Sequence, residues 1–161
     1  MSNKASRNRG FGLLEIVLAV GIVSLTLFGL SSTAHTAYRL ISNNTQRVKA
    51  TFLLEETIET MRLLRDQGWQ IRIASLSTGT DYFLTFNGTQ WRTSTTNVFV
   101  DDTFERKFQI SDVYRDADDD ITAAGTLDPD TKKITTYVSW RTQTGTTTES
   151  ISTYITDLFD N

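Results

Sequence analysis

The amino-acid sequence predicts an α+β protein: one long N-terminal helix, apolar in its first half and amphipathic in its second, packed against a small antiparallel β-sheet. Three observations predict it. Phe11 to Leu30 is a run of 20 residues in which Glu15 is the only ionisable group. From Phe11 to about Gln67 there is no proline, and glycine is confined to Gly12, Gly21 and Gly29. Beyond Trp69 the composition turns to threonine, aromatic and β-branched residues separated by turn formers, which is strand chemistry.

The first half of the helix is long enough to cross a hydrocarbon layer of about 30 Å at a rise of about 1.5 Å per residue. A carboxylate inside such a segment is costly, so Glu15 is a candidate functional residue whose partner has to be found. A cleaved secretory signal fits less well, because its apolar region ends after about 7–15 residues at an Ala-x-Ala-like site. No such site follows this run. Gly21 and Gly29, with Ser24, Thr26, Ser31 and Ser32, weaken this half, glycine costing about 1 kcal/mol against alanine in a helix interior. Two readings stay open here: close helix packing by small residues in a membrane, or a stretch that unwinds.

In the second half Ala50, Leu54, Ile58, Met61 and Leu64 recur at spacings of four and three, one face of a helix. Thr51, Glu55, Glu56, Glu59, Arg62 and Arg65 supply the polar remainder, with Glu55, Glu59 and Arg62 at interacting spacings. Gly68 is the expected stop. Tyr82–Phe86, Asn87-Gly88 and Gln90–Arg92 then read as a hairpin. Phe104–Val113 alternates as a strand, and Ile134–Trp140 with Ser150–Ile155 form a second hairpin across Gly145. The expectation is four or five antiparallel strands over the outer half of the helix, with Asp116–Asp120 in an acidic loop.

Met1 to Gly10 carries Lys4, Arg7 and Arg9 and no acid, whereas the whole chain has a formal charge of −3. Without those ten residues, 13 basic face 19 acidic residues, a net of −6. That balance does not suggest nucleic acid as a main partner. A basic leader before an apolar span predicts an N-in orientation and an extracytoplasmic C-terminal domain. Cysteine is absent, so no disulfide or thiolate metal site exists and the outer domain is held by packing alone. Trp69, Trp91, Trp140 and nine phenylalanines provide for its core.

A basic leader, a glycine, a bulky apolar residue and a glutamate four positions later, as in Arg9-Gly10-Phe11-Gly12-Leu13-Leu14-Glu15, resembles the N-terminal signal of the type IV pilin family, which includes pilins, minor pilins and the pseudopilins of type II secretion. The resemblance implies cleavage after Gly10 by an inner-membrane prepilin peptidase, N-methylation of Phe11, and pairing of Glu15 with the free amine of a neighbouring subunit. It divides the chain into a leader over 1–10, a transmembrane and filament-core half-helix over 11–32, and an extracytoplasmic domain over 33–161. Its implied partners are the peptidase, other pilin subunits, an inner-membrane assembly platform and, before assembly, membrane lipid. The function it implies is that of a minor pilin of a type IV pilus. Two alternatives stand beside it: a minor pseudopilin of a type II secretion or DNA-uptake system, and a permanently anchored extracytoplasmic binding domain. The chain departs from the family's habits in lacking a C-terminal disulfide and a proline near Ser32.

Other candidate sites are thinner. Asp116, Asp118 and Asp120 alternate as in the opening of an EF-hand loop, which makes them calcium candidates. Ile121 stands where that loop requires glycine and Leu127 where it requires glutamate, so a solvated acidic loop is the simpler reading and no cofactor is expected. His35 is the only histidine, and no carboxylate pair or Gly-rich phosphate loop marks a catalytic centre, so the expectation is a non-enzymatic chain. Asn43 and Asn87 fit the N-glycosylation pattern, and Thr93–Thr96 offers hydroxyls for O-linked sugar.

Overall fold

The computed structural model describes residues 12–143 and 145–158. They form one helix, a short π-helical turn and seven strands, an α+β architecture as the sequence predicts. Helix α1 runs unbroken from Leu13 to Asp66 and includes Gly21 and Gly29. Thr26, Thr33 and Thr36 return their hydroxyls to the carbonyls of Val23, Gly29 and Ser32, at 2.8, 3.0 and 3.0 Å, a local bond that competes with the helical ladder. The chain divides into two compact units, one ending at Asn44 and the other beginning at Thr45.

In the second unit α1 buries Ala50, Leu54, Ile58, Met61 and Leu64, the stripe read from the sequence, together with Thr57 and Thr60. Thr57 is tolerated because its hydroxyl bonds the Leu53 carbonyl at 2.8 Å. The helix stops at Gly68, whose φ of +144° suits a residue without Cβ. Gln70–Ala74 then forms a π-helical turn that the sequence pattern did not suggest. It places Trp69 and Ile73 in the core, both essentially inaccessible.

Strands β1 (Tyr82–Phe86), β2 (Trp91–Ser94), β3 (Phe99–Val100), β4 (Phe104–Arg115), β5 (Ile121–Thr122), β6 (Thr126–Thr142) and β7 (Gly145–Thr156) make one sheet. Its main path is β2-β1-β4-β6-β7, with β3 and β5 paired to β4 and every pairing antiparallel. The inner face of β4 presents Phe104, Arg106, Phe108 and Ile110 to the helix, and β6 presents Ile134, Thr136, Val138 and Trp140. Ala50 and Leu54 pack with Phe104, Val138 and Trp140, whereas Met61 and Leu64 pack with Phe108, Ile110 and Ile134. Strands β4 and β7 therefore run in the direction of the helix and β6 against it.

Two expectations are corrected. The strand expected over Ile134–Trp140 begins at Thr126, so β6 takes in Leu127–Lys133 as well. It is interrupted where Asp112 faces Lys132 but Val113 faces Asp128. Pro129, the only proline, lies in that irregularity, where a ladder donor is not required. The sheet also has seven strands rather than four or five, because two-residue β3 and β5 flank β4.

Candidate functional site

The N-terminal end of α1 is the candidate site. Gly10 and Phe11, with the rest of the leader, lie outside the described residues. Gly12 opens the helix: its carbonyl accepts the Glu15 and Ile16 N–H groups at 3.0 and 3.3 Å. Glu15 thus stands in the first turn, where a negative charge meets the positive end of the helix dipole. Every residue from Gly12 to Thr45 is exposed, including Leu13, Leu14, Ile16, Val17 and Leu18 around Glu15. Up to Leu30 this exposed surface is apolar apart from Glu15, Ser24 and Thr26, the kind of surface that lipid or protein covers. Among the described residues one helix, α1, is long and apolar enough to cross a membrane, with mean hydropathy 2.4 over its most apolar stretch. What these residues offer chemically is an apolar surface and one carboxylate near its start.

The acidic loop is organised around an arginine. Asp116 Oδ1 accepts the backbone N–H groups of Asp118 and Asp120, each at 3.0 Å. Arg115 Nε donates to Asp128 Oδ2 at 2.6 Å and its Nη1 to the Asp119 carbonyl at 2.8 Å. A Cβ at Gly125 would run into the Arg115 carbonyl oxygen, so the return of the chain into β6 depends on glycine there. Among the described residues no group of three ligating side chains is placed to hold a metal, Asp116, Asp118 and Asp120 included.

The rest of the second unit is tied by ion pairs that sequence reasoning missed. Arg106 is buried on the inner face of β4, donates to Glu56 of α1 and lies 5.4 Å from the centre of the Trp91 ring. On the outer face, Asp81 accepts Lys107 and Gln109, each at 2.7 Å. The signal for Arg106 was present as strand parity, since it alternates with Phe104 and Phe108. A cleft of about 320 Å³, lined by Lys49, Phe52, Leu53, Glu56, Asp101 and Phe104, lies beside the β3–β4 turn. His35 is exposed on α1, and the Asn87 side chain closes its own turn on the N–H groups of Thr89 and Gln90.

The Lys107 hydrogen bond, then that of Gln109, holds the Asp81 carboxyl below its ordinary value, and the Arg115 hydrogen bond does the same for Asp128. Both carboxylates are depressed on folding. Their contribution to stability is therefore complete above the ordinary carboxylate pKa and is lost as pH falls through the lowered one. Thermal unfolding of the second unit in the full chain is expected to shift downward between about pH 5 and pH 2. Asp128→Asn is expected to lower stability at neutral pH and to flatten that slope. A midpoint independent of pH in this range would contradict the assignment.

Compared with known protein families, curated proteins and solved structures, the chain finds no match. The resemblance therefore rests on the N-terminal residues themselves.

Proposed function

We propose that the chain is a structural subunit of a pilin-like filament, a minor pilin that rests in the inner membrane until an assembly machine draws it out. The observation that carries this reading is Glu15: the one carboxylate in the apolar run from Phe11 to Leu30, exposed from Gly12 onward, placed four residues after Phe11 and following a basic segment. Cleavage after Gly10 creates an ammonium at Phe11. A buried carboxylate and a buried ammonium each cost several kcal/mol alone, and pairing offsets part of that. The neighbour's Glu15 is the natural partner for that ammonium in an apolar filament core. In this reading the outer domain supplies contacts between subunits and carries no catalysis, the peptidase and the assembly platform act on the N-terminal segment, and lipid covers the helix before assembly.

The test is the mass of the chain purified from membranes. The expected N terminus is methylated Phe11, with no peptide from Met1 to Gly10. A leader retained on every copy would leave a permanently anchored binding domain in place of a filament subunit.

A further inference from the structure

The cleft beside the β3–β4 turn is an apolar hollow with charges at its edge. Phe52, Leu53 and Phe104 wall its volume of about 320 Å³, and Lys49, Glu56 and Asp101 line it as well. Glu56 already accepts Arg106. The charges left are Lys49 against Asp101 and the adjacent Asp102, and neither aspartate is in an ion pair among the described residues. Such a hollow, apolar within and net negative at its edge, suits an apolar side chain that stands beside a cation.

The second unit carries a side chain of that kind. Ile71 is 81% exposed, more than any other large apolar residue of the unit. It stands on the π-helical turn Gln70–Ala74, whose Ile73 is buried. The Ser75 hydroxyl donates to the Ile71 carbonyl at 2.6 Å, and the Arg72 N–H to the Gly68 carbonyl at 3.0 Å, so the turn is held in shape. π-Helical turns are rare and are found frequently at functional sites. Arg72 follows at once and forms no ion pair among the described residues. The unit's other exposed apolar residues do not offer this combination. Leu63 and Tyr114 adjoin Arg62 and Arg115, which are paired with Glu59 and Asp128. Val48 adjoins Lys49 of the cleft itself, and the remainder have no basic neighbour in sequence.

Ile71 does not reach the cleft of its own copy. Its turn packs through Trp69 and Ile73 on Met61 and Leu64, whereas Leu53 and Phe104 of the cleft pack with Ala50 and Leu54. Leu53 and Leu64 are about 16 Å apart along the helix, far beyond the reach of an isoleucine side chain. We propose that Ile71 of one copy seats in the cleft of the next, with Arg72 against Asp101. Knob and hollow are different surfaces, so the contact is heterologous and repeats from copy to copy. One side chain and one ion pair make a small contact, which counts only where copies are gathered. The inference rests on the proposed function for that gathering, in membrane or filament, and not on leader cleavage.

The absence of cysteine makes the test direct. Gln70→Cys and Thr103→Cys, at exposed positions beside the knob and the cleft, are placed in the full chain singly and together. Membrane and sheared-filament fractions are treated with a short bis-maleimide. The double variant is expected to give a ladder of dimers, trimers and longer species, and each single variant to stay monomeric. Adding Ile71→Asp is expected to reduce the ladder by roughly tenfold, as an apolar anchor is lost and a like charge meets Asp101. Its thermal unfolding is expected to match that of the parent, because the side chain replaced is exposed. Arg72→Gln and Asp101→Asn test the ion pair, asparagine being tolerant of the positive φ at position 101. Each is expected to weaken the ladder severalfold and the two together no further, since both remove the same attraction. A ladder indifferent to Ile71→Asp overturns the proposal. So does the lack of a ladder in both fractions, a single variant linking as strongly as the double, or linkage only to a different protein. Absence of the chain from sheared material counts against the filament reading, and the membrane ladder then decides the contact through the same variants.

Discussion

Gly10→Val is expected to leave the precursor at full length in the membrane and to remove the chain from any filament. In the proposed reading a membrane peptidase acts on the peptide bond between the basic segment and the apolar run. A glycine before that bond presents no side chain to either wall of the cleft and accepts backbone conformations that a β-branched residue resists. Valine adds two methyl groups at the place of closest approach, so the loss falls on cleavage itself rather than on the fold. The second unit begins more than thirty residues later, at Thr45, and has its own core, so its thermal unfolding is expected to be unchanged. The measurement resolves precursor and mature bands in membrane and sheared-filament fractions. Processing at the normal rate would place the cut elsewhere, and an altered melting midpoint would show that the substitution acts through folding.

How much of this was legible depended on whether a residue's environment was periodic. The stripe from Ala50 to Leu64 could be read because a helix repeats its inward face every three or four residues, and a whole row of apolar side chains answers to one surface. The β6–β7 hairpin could be read for the same reason with a period of two. Arg106 broke the rule. Its parity put it inside, its charge argued for outside, and a Glu56 contributed by α1 together with the Trp91 ring of β2 made the inward position tolerable. No local pattern contains a partner fifty residues away. The start of β6 at Thr126, ahead of the strand expected from Ile134, was not legible because proline, aspartate and lysine interrupt the alternation, and here they sit at a break in the β4–β6 register. In the acidic loop the spacing of Asp116, Asp118 and Asp120 suggested a cation, while Arg115, immediately before them, donates to Asp128 and to the Asp119 carbonyl. Glu15 stood out in the sequence, since a lone carboxylate in an apolar run needs no fold to be conspicuous, whereas Gly10 and Phe11 lie outside the described residues.

Glu15→Ala is expected to be cleaved normally, to stay in the membrane and to fall by more than a hundredfold in filaments. Two effects of the substitution compete, and their sizes separate them. Glu15 lies in the first turn of α1, so its loss removes a favourable interaction with the helix N-terminus worth about 0.3–1 kcal/mol. That alone changes incorporation by no more than roughly fivefold. Loss of the partner of a buried Phe11 ammonium costs on the order of 3–5 kcal/mol, because the remaining charge has no compensation in an apolar core. Glu15→Gln distinguishes the two further: it retains polar atoms at the helix start but cannot neutralise an ammonium, and it is expected to fail nearly as badly as alanine. The readout is the ratio of sheared-filament to membrane signal, normalised to wild type, with the mature band measured separately. A fall of only severalfold in both variants would leave Glu15 a role at the helix terminus alone. An unchanged ratio would take it out of assembly altogether, and the apolar helix would then stand as a plain anchor.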